Sequence, residues 1–301
     1  MSKRSPRAAK ASQAPKARVK VATVVKPAIT HPEKVLFPAD GVTKGELAAY
    51  YELIAPLMIP HIAGRPITME RFPSGIGEKG FIQKDVSRGF PEWLERVEVP
   101  KKGGTVHHAL VSDTRSLLWI VNQNTITPHV WTSRVPALHE PDICVFDLDP
   151  ADDGDPAVLR DTALALRDLL KTRGHESWIK TSGSKGFHIV IRSEGDAAHG
   201  AAARFANRIG HELVAQDPTR LTQEFSKVDR KGRIYVDTGR NGYSATFAAP
   251  YAVRPKPGAP ISAPCTWDEV ASGAIGPRSI NIRNIAARVA VDGDLWMGLL
   301  T

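Results

Sequence analysis

Two aspartates stand two residues apart at the end of an apolar run in the segment 145–150. A β-strand turns successive side chains to opposite faces, so Asp147 and Asp149 share one face while Phe146 and Leu148 share the other. Like charges held this close repel each other unless a cation lies between them, and carboxylate oxygens suit Mg²⁺ or Mn²⁺. The pair predicts a metal site, and a solvated acidic turn is the open alternative.

A second group of polar residues occupies 181–188, with the sequence Thr-Ser-Gly-Ser-Lys-Gly-Phe-His. Small residues let backbone N–H groups approach an anion, and Lys185 adds a positive charge that suits a phosphate. His188 begins the next predicted strand and could donate to the same anion. The glycine spacing of a Walker loop is missing. A plain hairpin with one exposed lysine therefore stays open as the alternative.

A third group is a basic turn that leads into a strand ending at Asp237; its cations are Lys227, Arg230, Lys231 and Arg233. The functional interpretation is a third metal-binding carboxylate beside phosphate-binding arginines, and a basic hairpin is the alternative. Together the three groups supply what nucleotidyl transfer needs. Carboxylates hold two divalent ions about 4 Å apart, and the lysines and arginines neutralise a triphosphate.

The elements that must position these groups form a mixed helix and strand pattern. Helices are predicted at 43–58, 113–123, 156–171 and 197–216, and strands at 66–71, 81–84, 97–99, 106–111, 126–130, 143–148, 177–181, 187–192, 233–237 and 245–248. From about residue 141 the order is β-α-β-β-α-β-β. This order favours an α+β core of ferredoxin-like or RNA-recognition-like type with a mostly antiparallel sheet. The preceding residues then form a second α/β module packed on it.

The positive charge of the chain is concentrated at its N-terminus. The 301 residues carry 40 Lys and Arg against 32 Asp and Glu, a net charge of +8. Residues 1–26 contain eight basic and no acidic side chains, so the remaining 32 cations match the 32 anions. We predict a disordered tail over 1–28 that holds a polyanion or merely solubilises. Residues 29–301 are predicted to fold, as an N-terminal module at about 29–140 and a catalytic core at about 141–301.

Targeting features and cysteines exclude several classes of protein. No apolar run approaches the roughly 20 residues of a membrane span, and no apolar segment follows the basic N-terminus. We therefore predict a cytoplasmic, nucleoid-associated protein without a membrane partner. The two cysteines, Cys144 and Cys265, lack metal-ligand spacing and indicate neither a disulfide scaffold nor a zinc module.

The three groups together resemble a known family. Phe-Asp-Leu-Asp-Pro at 146–150, the 181–188 segment and Val-Asp at 236–237 are similar to the three motifs of the archaeo-eukaryotic primase superfamily, and most closely to the polymerase domain of bacterial end-joining DNA ligase D. The resemblance extends from about residue 30 to residue 299, including 31–38 and 249–254. It implies the primase fold and a primer-extending polymerase that fills gaps and ends during double-strand break repair, prefers ribonucleotides and uses two Mn²⁺ or Mg²⁺ ions.

The resemblance also implies roles for single residues. The two metals would be bound by the catalytic carboxylates Asp147, Asp149 and Asp237, of which Asp237 lies nearest the primer 3′-hydroxyl. The incoming nucleotide would be held by His129, Ser182, Lys185, His188, Arg230 and Arg254, with Phe81 packing near the bases. The 5′-phosphate of the downstream strand would be bound by Lys34 and Lys44. Without the resemblance, His129 is interpreted as structural, Phe81 as a core residue and the two lysines as surface residues.

Two other functions remain open from the residues. A haloacid-dehalogenase-like phosphatase also uses a strand with Asp-x-Asp, and a noncatalytic module could bind 5′-phosphorylated DNA ends. The methionine start and the basic tail favour a stand-alone polymerase over an excised domain. Its expected partners are DNA ends and gaps with a 5′-phosphate, NTP or dNTP, Ku and a separate ATP-dependent DNA ligase.

Overall fold

The computed structural model describes residues 26–86, 89–151, 154–193 and 198–300. The strands are β1 (Val35–Phe37), β2 (Val42–Thr43), β3 (Ile67–Arg71), β4 (Phe81–Gln83), β5 (Arg96–Lys101), β6 (Gly104–Ala109), β7 (Thr125–Val130), β8 (Ile143–Asp149), β9 (Ser177–Thr181), β10 (Phe187–Arg192), β11 (Leu221–Thr222), β12 (Ile234–Asp237), β13 (Phe247–Ala248), β14 (Ala252–Val253), β15 (Ile261–Ser262) and β16 (Pro264–Cys265). The helices are α1 (Lys44–Ile62), α2 (Thr114–Asn122), α3 (Pro156–Thr172), α4 (His199–Gln216), α5 (Lys227–Arg230), α6 (Trp267–Ala271) and α7 (Ile285–Asp292). Short 3₁₀ helices span Gly239–Asn241 and Met297–Leu299.

The central sheet has the strand order β11-β12-β8-β10-β9-β16. Its neighbouring strands are antiparallel except for β11 and β12, which are parallel. The first, second, third and fourth strands of the core pattern are β8, β9, β10 and β12, so their spatial order is 4-1-3-2. With α3 and α4 as the two connecting helices, this is the ferredoxin-like arrangement that the sequence predicts.

The two faces of the central sheet bury different partners. Phe146 and Leu148 are fully buried and pack in one apolar cluster with Leu166 of α3 and Ile209 of α4. Val145, on the opposite face, belongs to a second cluster that includes residues of the other sheet and of α1. The alternation predicted for β8 is therefore confirmed, and its aspartates project toward the second sheet rather than toward the helices.

The second sheet has the order β13-β7-β3-β6-β5, with β4 also paired to β3. Its strand β13 corrects one prediction, because the order of elements placed 245–248 in the central sheet. Instead, Phe247 pairs with Val130 and Ala248 with His129 on β7. The chain turns through the 3₁₀ helix after β12 and crosses to the other sheet, where Phe247 is buried. The two predicted modules therefore interlock beyond residue 141.

Helix α1 begins as predicted and ends later than predicted. Thr43 and Glu46 form both hydrogen bonds of a capping box. The helix continues past the predicted end at residue 58 even though it contains Pro60, because Arg65 and Arg134 donate hydrogen bonds to the carbonyl of His61 at its C-terminus. These side chains satisfy helix-end acceptors that would otherwise lack partners.

The short and C-terminal elements were not predicted. Strand β11, helix α5 and the elements from β14 onward contain two to eight residues each, too few for a clear apolar period. The proposed disordered tail lies outside the described residues up to residue 25, while Lys26 contacts Glu52 of α1. Among the described residues, no helix combines the length and apolar character needed to cross a bilayer.

Candidate active site

A row of directly opposed residues crosses the central sheet on the face that lies toward the second sheet. Asp237 of β12 is opposite Asp147 of β8, which is opposite His188 of β10, which is opposite Lys180 of β9. Directly opposed residues project from the same side of an antiparallel pair, with their Cβ atoms roughly 5 Å apart. The register thus brings together Asp147, His188 and Asp237, which the sequence analysis selected from three separate segments.

A guanidinium group bridges the two carboxylates of this row. Nη2 of Arg240 lies 3.1 Å from Oδ2 of Asp237 and 3.4 Å from Oδ2 of Asp147. Burial, together with the charge of Asp147, raises the pKa of Asp237 despite this arginine. Burial would also raise the pKa of Asp147, but His188, Arg240 and Lys180 lower it to about 2. At neutral pH the row therefore holds an ionised Asp147 beside a neighbouring carboxylate.

On the other side of Asp147, the row continues with the buried side chains of His188 and Lys180. Nζ of Lys180 lies 2.6 Å from Nδ1 of His188, and Nε2 of His188 lies 3.4 Å from Oδ1 of Asp147. Lys180 also donates to the hydroxyl of Ser262. Burial, followed by the charge of Arg254, lowers the pKa of Lys180, and burial with the charge of Lys180 lowers the pKa of His188 to about 4. His188 is therefore neutral at pH 7.

Asp149 lies two residues along β8 from Asp147 and has its own cation. Nη1 of Arg230 donates to its Oδ2 at 2.9 Å, and the guanidinium lies 4.0 Å from the ring centre of Tyr235. The same arginine donates to backbone carbonyls of residues 224 and 225. The arginine that the resemblance assigns to the triphosphate is therefore held beside a predicted metal ligand.

The segment between β9 and β10 forms a tight turn built around Ser182. Its Oγ accepts hydrogen bonds from the N–H groups of Ser184 and Gly186, both at 3.1 Å, and its carbonyl accepts from Nη1 of Arg254 at 2.9 Å. A Cβ at Gly186 would lie 1.6 Å from the carbonyl oxygen of Leu148, so only glycine fits there. The turn is thus fixed against β8. Lys185 lines a surface cavity of about 550 Å³ beside it.

The second sheet contributes a histidine and an acidic residue to the same region. Nε2 of His129 on β7 lies 3.0 Å from Oε2 of Glu70 on β3. Burial lowers the pKa of His129 although Glu70 opposes the shift, and the charges of Arg254 and Arg240 act in the same direction as burial. The charge of Arg254 also interacts with that of Asp147, so Arg254 lies between His129 and the aspartate row in this network of charges.

Lys34 and Lys44 are neighbours at the start of α1. The backbone N–H of Lys44 donates to the carbonyl of Lys34 at 2.8 Å. Lys34 is exposed, whereas Lys44 is buried and donates from Nζ to Oγ1 of Thr30 at 3.0 Å. Burial, and then the charge of Lys34, lowers the pKa of Lys44. Lys44 is therefore buried and lies within electrostatic reach of Lys34, so it is not an ordinary surface lysine.

Phe81 lies on the exposed strand β4 rather than in the core. Its side chain is 47% exposed, and the guanidinium of Arg71 lies 5.2 Å from its ring centre. The neighbouring Ile82 is also exposed. The interpretation of Phe81 as a core residue is therefore wrong, because about half of its side chain is exposed.

The family model described as LigD, primase-polymerase domain, matches residues 43–296. The chain belongs to the LigD primase-polymerase domain family. Membership in the LigD primase-polymerase family confirms the predicted primase fold and the predicted class of enzyme, a nucleotidyltransferase, and it removes the haloacid-dehalogenase alternative.

Relatives and a solved structure agree with this assignment. The chain is 34% identical to the multifunctional non-homologous end joining protein LigD of Mycolicibacterium smegmatis over 89% of its own length and 35% of the relative's. It is 30% identical to the protein of the same name from Pseudomonas aeruginosa, over 87% and 31% of the two lengths. The polymerase domain of Mycobacterium tuberculosis ligase D in complex with DNA matches with a TM-score of 0.86 and 33% identity, over 91% of this chain and 98% of that one. The chain thus spans about a third of the length of these two LigD relatives.

Several residues of this LigD-family site were missed from the sequence: Glu70, Lys180, Arg240, Asn241 and Ser262. A lysine within the apolar strand β9 was the clearest available sign, because a buried strand rarely carries an unpaired ammonium group. Arg240 and Asn241 lie between the predicted strands 233–237 and 245–248, where the sequence predicts no element. Glu70 and Ser262 gave no local pattern, since their role depends on contacts with residues 59 and 82 positions away.

Asn241 explains how the turn after β12 is held in place. Strand β12 ends at Asp237, so the backbone of Val145 on β8 has no strand partner on that side. The buried side chain of Asn241 takes the place of the missing strand partner. Its Oδ1 accepts a hydrogen bond from the N–H of Val145, and its Nδ2 donates one to the Val145 carbonyl, both at 2.7 Å. Nδ2 also donates to the carbonyl of Thr238 at 2.8 Å.

Asn241→Ala is expected to lower the free energy of unfolding by roughly 2–4 kcal/mol, because it leaves two buried backbone groups of β8 without partners. Urea denaturation followed by circular dichroism measures the change. Asn122→Ala is the matched control, since Asn122 bonds residues 28 and 30 near the surface. A loss at Asn241 no larger than at Asn122 would contradict the strand-replacing role.

The donor set of the row suits a hard divalent cation. Two carboxylates directly opposite each other on adjacent strands, with a third two residues along β8, provide the oxygen ligands that Mg²⁺ and Mn²⁺ prefer. Within the described ranges, no three His, Cys, Asp or Glu side chains converge as a ligand cluster. Arginines instead lie against Asp147, Asp149 and Asp237. The residues therefore fit a divalent cation once these guanidinium groups move.

Proposed function

We propose that this chain is a template-dependent nucleotidyltransferase that fills gaps and extends ends in non-homologous end joining. The observation that carries the proposal is the row of Asp237, Asp147 and His188 across three strands of a primase-type sheet. The likeness to a polymerase domain solved with DNA supports it. Bound Mg²⁺ or Mn²⁺ would activate the attacking oxygen and stabilise the leaving pyrophosphate.

The chain's own residues would hold the cations, neutralise the triphosphate and orient the reacting groups. Asp147, Asp149 and Asp237 would hold the two cations, with Asp237 nearest the primer 3′-hydroxyl. Triphosphate charge would be neutralised where Arg254 and the fixed turn of Ser182 meet, with Lys185 at its edge. Neutral His188 lies beside Asp147 and would orient it, while His129 would approach the nucleotide from the second sheet.

Finer features of the proposal follow from the family resemblance. We infer a preference for ribonucleotides, Ku and an ATP-dependent DNA ligase as partners, and a cytoplasmic location at the nucleoid. A folded polymerase domain over 29–301 with a basic N-terminal tail completes this proposal. The names of the LigD relatives refer to end joining by much longer proteins, which supports a shared pathway.

Primer extension on a gapped duplex tests the function. Substrates with and without a 5′-phosphate at the gap, each supplied with NTP or dNTP and with Mg²⁺ or Mn²⁺, separate reaction class, phosphate recognition and sugar preference. We expect template-directed addition that is faster with NTP and with the phosphate present. Binding to phosphorylated ends without extension under any of these conditions would replace the proposal with the noncatalytic end-binding module.

Lys34→Ala is expected to remove most of the preference for a 5′-phosphate at the gap. A charge-assisted contact to phosphate contributes roughly 1.5–3 kcal/mol, which corresponds to at least about tenfold in affinity. Fluorescence anisotropy with phosphorylated and unphosphorylated gaps measures the ratio. Lys171→Ala, which removes an exposed lysine from the end of α3, is the control for net charge. An unchanged ratio in the Lys34 variant would place the phosphate site elsewhere.

A further inference from the structure

Arg240 occupies the space where a cation would be shared by two proposed metal ligands. Its Nη2 lies 3.1 Å from Oδ2 of Asp237 and 3.4 Å from Oδ2 of Asp147. The two carboxylates are only 13% and 15% exposed, so the pair depends on a nearby positive charge for neutralisation. The guanidinium supplies that charge from within the protein.

The backbone that carries Arg240 is held firmly. The N–H of Gly239 donates to Oδ1 of Asp237 at 2.8 Å, and Asn241 is anchored to β8 through Val145. A residue between two such anchors projects from a fixed point. The position of the guanidinium over the carboxylates is therefore a consequence of the turn, because a flexible surface arginine would lack both anchors.

The side chain of Arg240, by contrast, is incompletely satisfied. Its buried Nε has no hydrogen-bond partner among the described residues, and an unpaired buried donor opposes the arrangement. The side chain is also 42% exposed, so the guanidinium can turn into solvent without passing through the core. The charge pairing with the carboxylates is favourable, but the unpaired Nε is unfavourable. The guanidinium can therefore be displaced from the carboxylates.

We propose that Arg240 is a tethered counter-ion that competes with the divalent cation for Asp147 and Asp237. The inference rests on the proposed function, since it assumes that these carboxylates bind metal. A cation that binds only when the arginine has moved away shows an apparent Kd that is raised by the inverse of the fraction in that state. Arg240 thereby keeps the carboxylate pair neutralised before loading and sets the metal concentration at which the site fills.

Titration of the full chain with Mn²⁺ alone, followed by electron paramagnetic resonance of the free ion, tests the proposal. We expect Arg240→Gln to bind Mn²⁺ about tenfold more tightly than the unaltered chain, corresponding to a metal-competent fraction of about one tenth. Arg220→Gln removes the same charge from an exposed pair with Asp217 and should leave the Kd unchanged. Asp147→Asn should weaken binding.

Thermal unfolding provides a second measurement that does not depend on activity. Without Arg240 the two carboxylates repel each other, so Arg240→Gln should melt at a lower temperature in chelator and show a larger rise on addition of Mn²⁺. If the unaltered chain binds Mn²⁺ and Arg240→Gln binds it with an equal or higher Kd, the counter-ion proposal is overturned. The metal site itself would still stand. If neither chain binds Mn²⁺ more tightly than Asp147→Asn, the metal site and the proposed two-metal function both fail.

Discussion

Asp147→Asn is expected to reduce primer extension by at least about a thousandfold, since removing a single electrostatic partner of the transition state already costs roughly 10²–10³ in kcat. Asp147 is the central member of the row, with Asp237 on one side and His188 on the other. The amide retains the shape of the side chain but removes the charge on which metal binding depends. Rapid-quench extension of a labelled primer measures the loss.

DNA-end binding should be nearly unchanged in the same variant, because the proposed 5′-phosphate site lies at Lys34 and Lys44, outside the aspartate row. Asp168→Asn is the matched control, as Asp168 is an exposed residue of α3 that pairs with the adjacent Arg167. Extension by Asp147→Asn at a rate close to that of Asp168→Asn would refute the catalytic role. A parallel loss of end binding would indicate misfolding and should appear in the melting temperature.

The arrangement around Asp147 also shows what a single sequence can predict. Strict alternation along β8 predicts that Phe146 and Leu148 are buried on one face and that the aspartates project from the other, and both features are confirmed. Local capping at Thr43 and the apolar periods of α3 and α4 likewise predict those helices to within a few residues. In each case the determining contacts lie within a few positions of one another.

Features that depend on long-range register were not predictable in the same way. The sequence motifs assign Asp147 and His188 to one site, but the direct succession of Asp237, Asp147, His188 and Lys180 depends on pairing between four strands. Strand β13 joins the other sheet because Phe247 is buried there, which no local period reports. Arg240 illustrates the same limit, since a turn residue acquires its carboxylate contacts only through the fold.

The distribution of charge along the chain bears on which groups would recognise DNA. Residues 27–301 carry equal numbers of acidic and basic residues, so the average field of this part of the chain attracts DNA weakly. Under the proposed function, recognition would therefore come from local groups: the lysines near the start of α1, the exposed ring of Phe81, and the arginines beside the carboxylates. We expect each of these groups to affect a separate step, which single substitutions can resolve.

Lys180→Met is expected to lower the rate of extension roughly 10–100-fold, the usual effect of removing an outer hydrogen-bond partner that fixes the orientation of groups at a metal site. Its Nζ lies 2.6 Å from Nδ1 of His188 and donates a proton in either charge state. Nδ1 therefore accepts, and Nε2 carries the proton that faces Asp147. Methionine fills a similar volume but cannot donate, so the imidazole is free to adopt the other tautomer and turn a lone pair toward the carboxylate.

Rapid-quench kinetics at varied nucleotide concentration separates this positioning role from a structural one. We expect kcat to fall with little change in the KM for NTP, because Lys180 is fully buried and has no exposed surface for a nucleotide to contact. Ser262→Ala is the matched control: it removes the other side-chain partner of Lys180 but leaves the contact with His188. A drop in melting temperature with unchanged kcat in Lys180→Met would show that the lysine only supports packing, whereas a reduced kcat in a stably folded variant would support the positioning role.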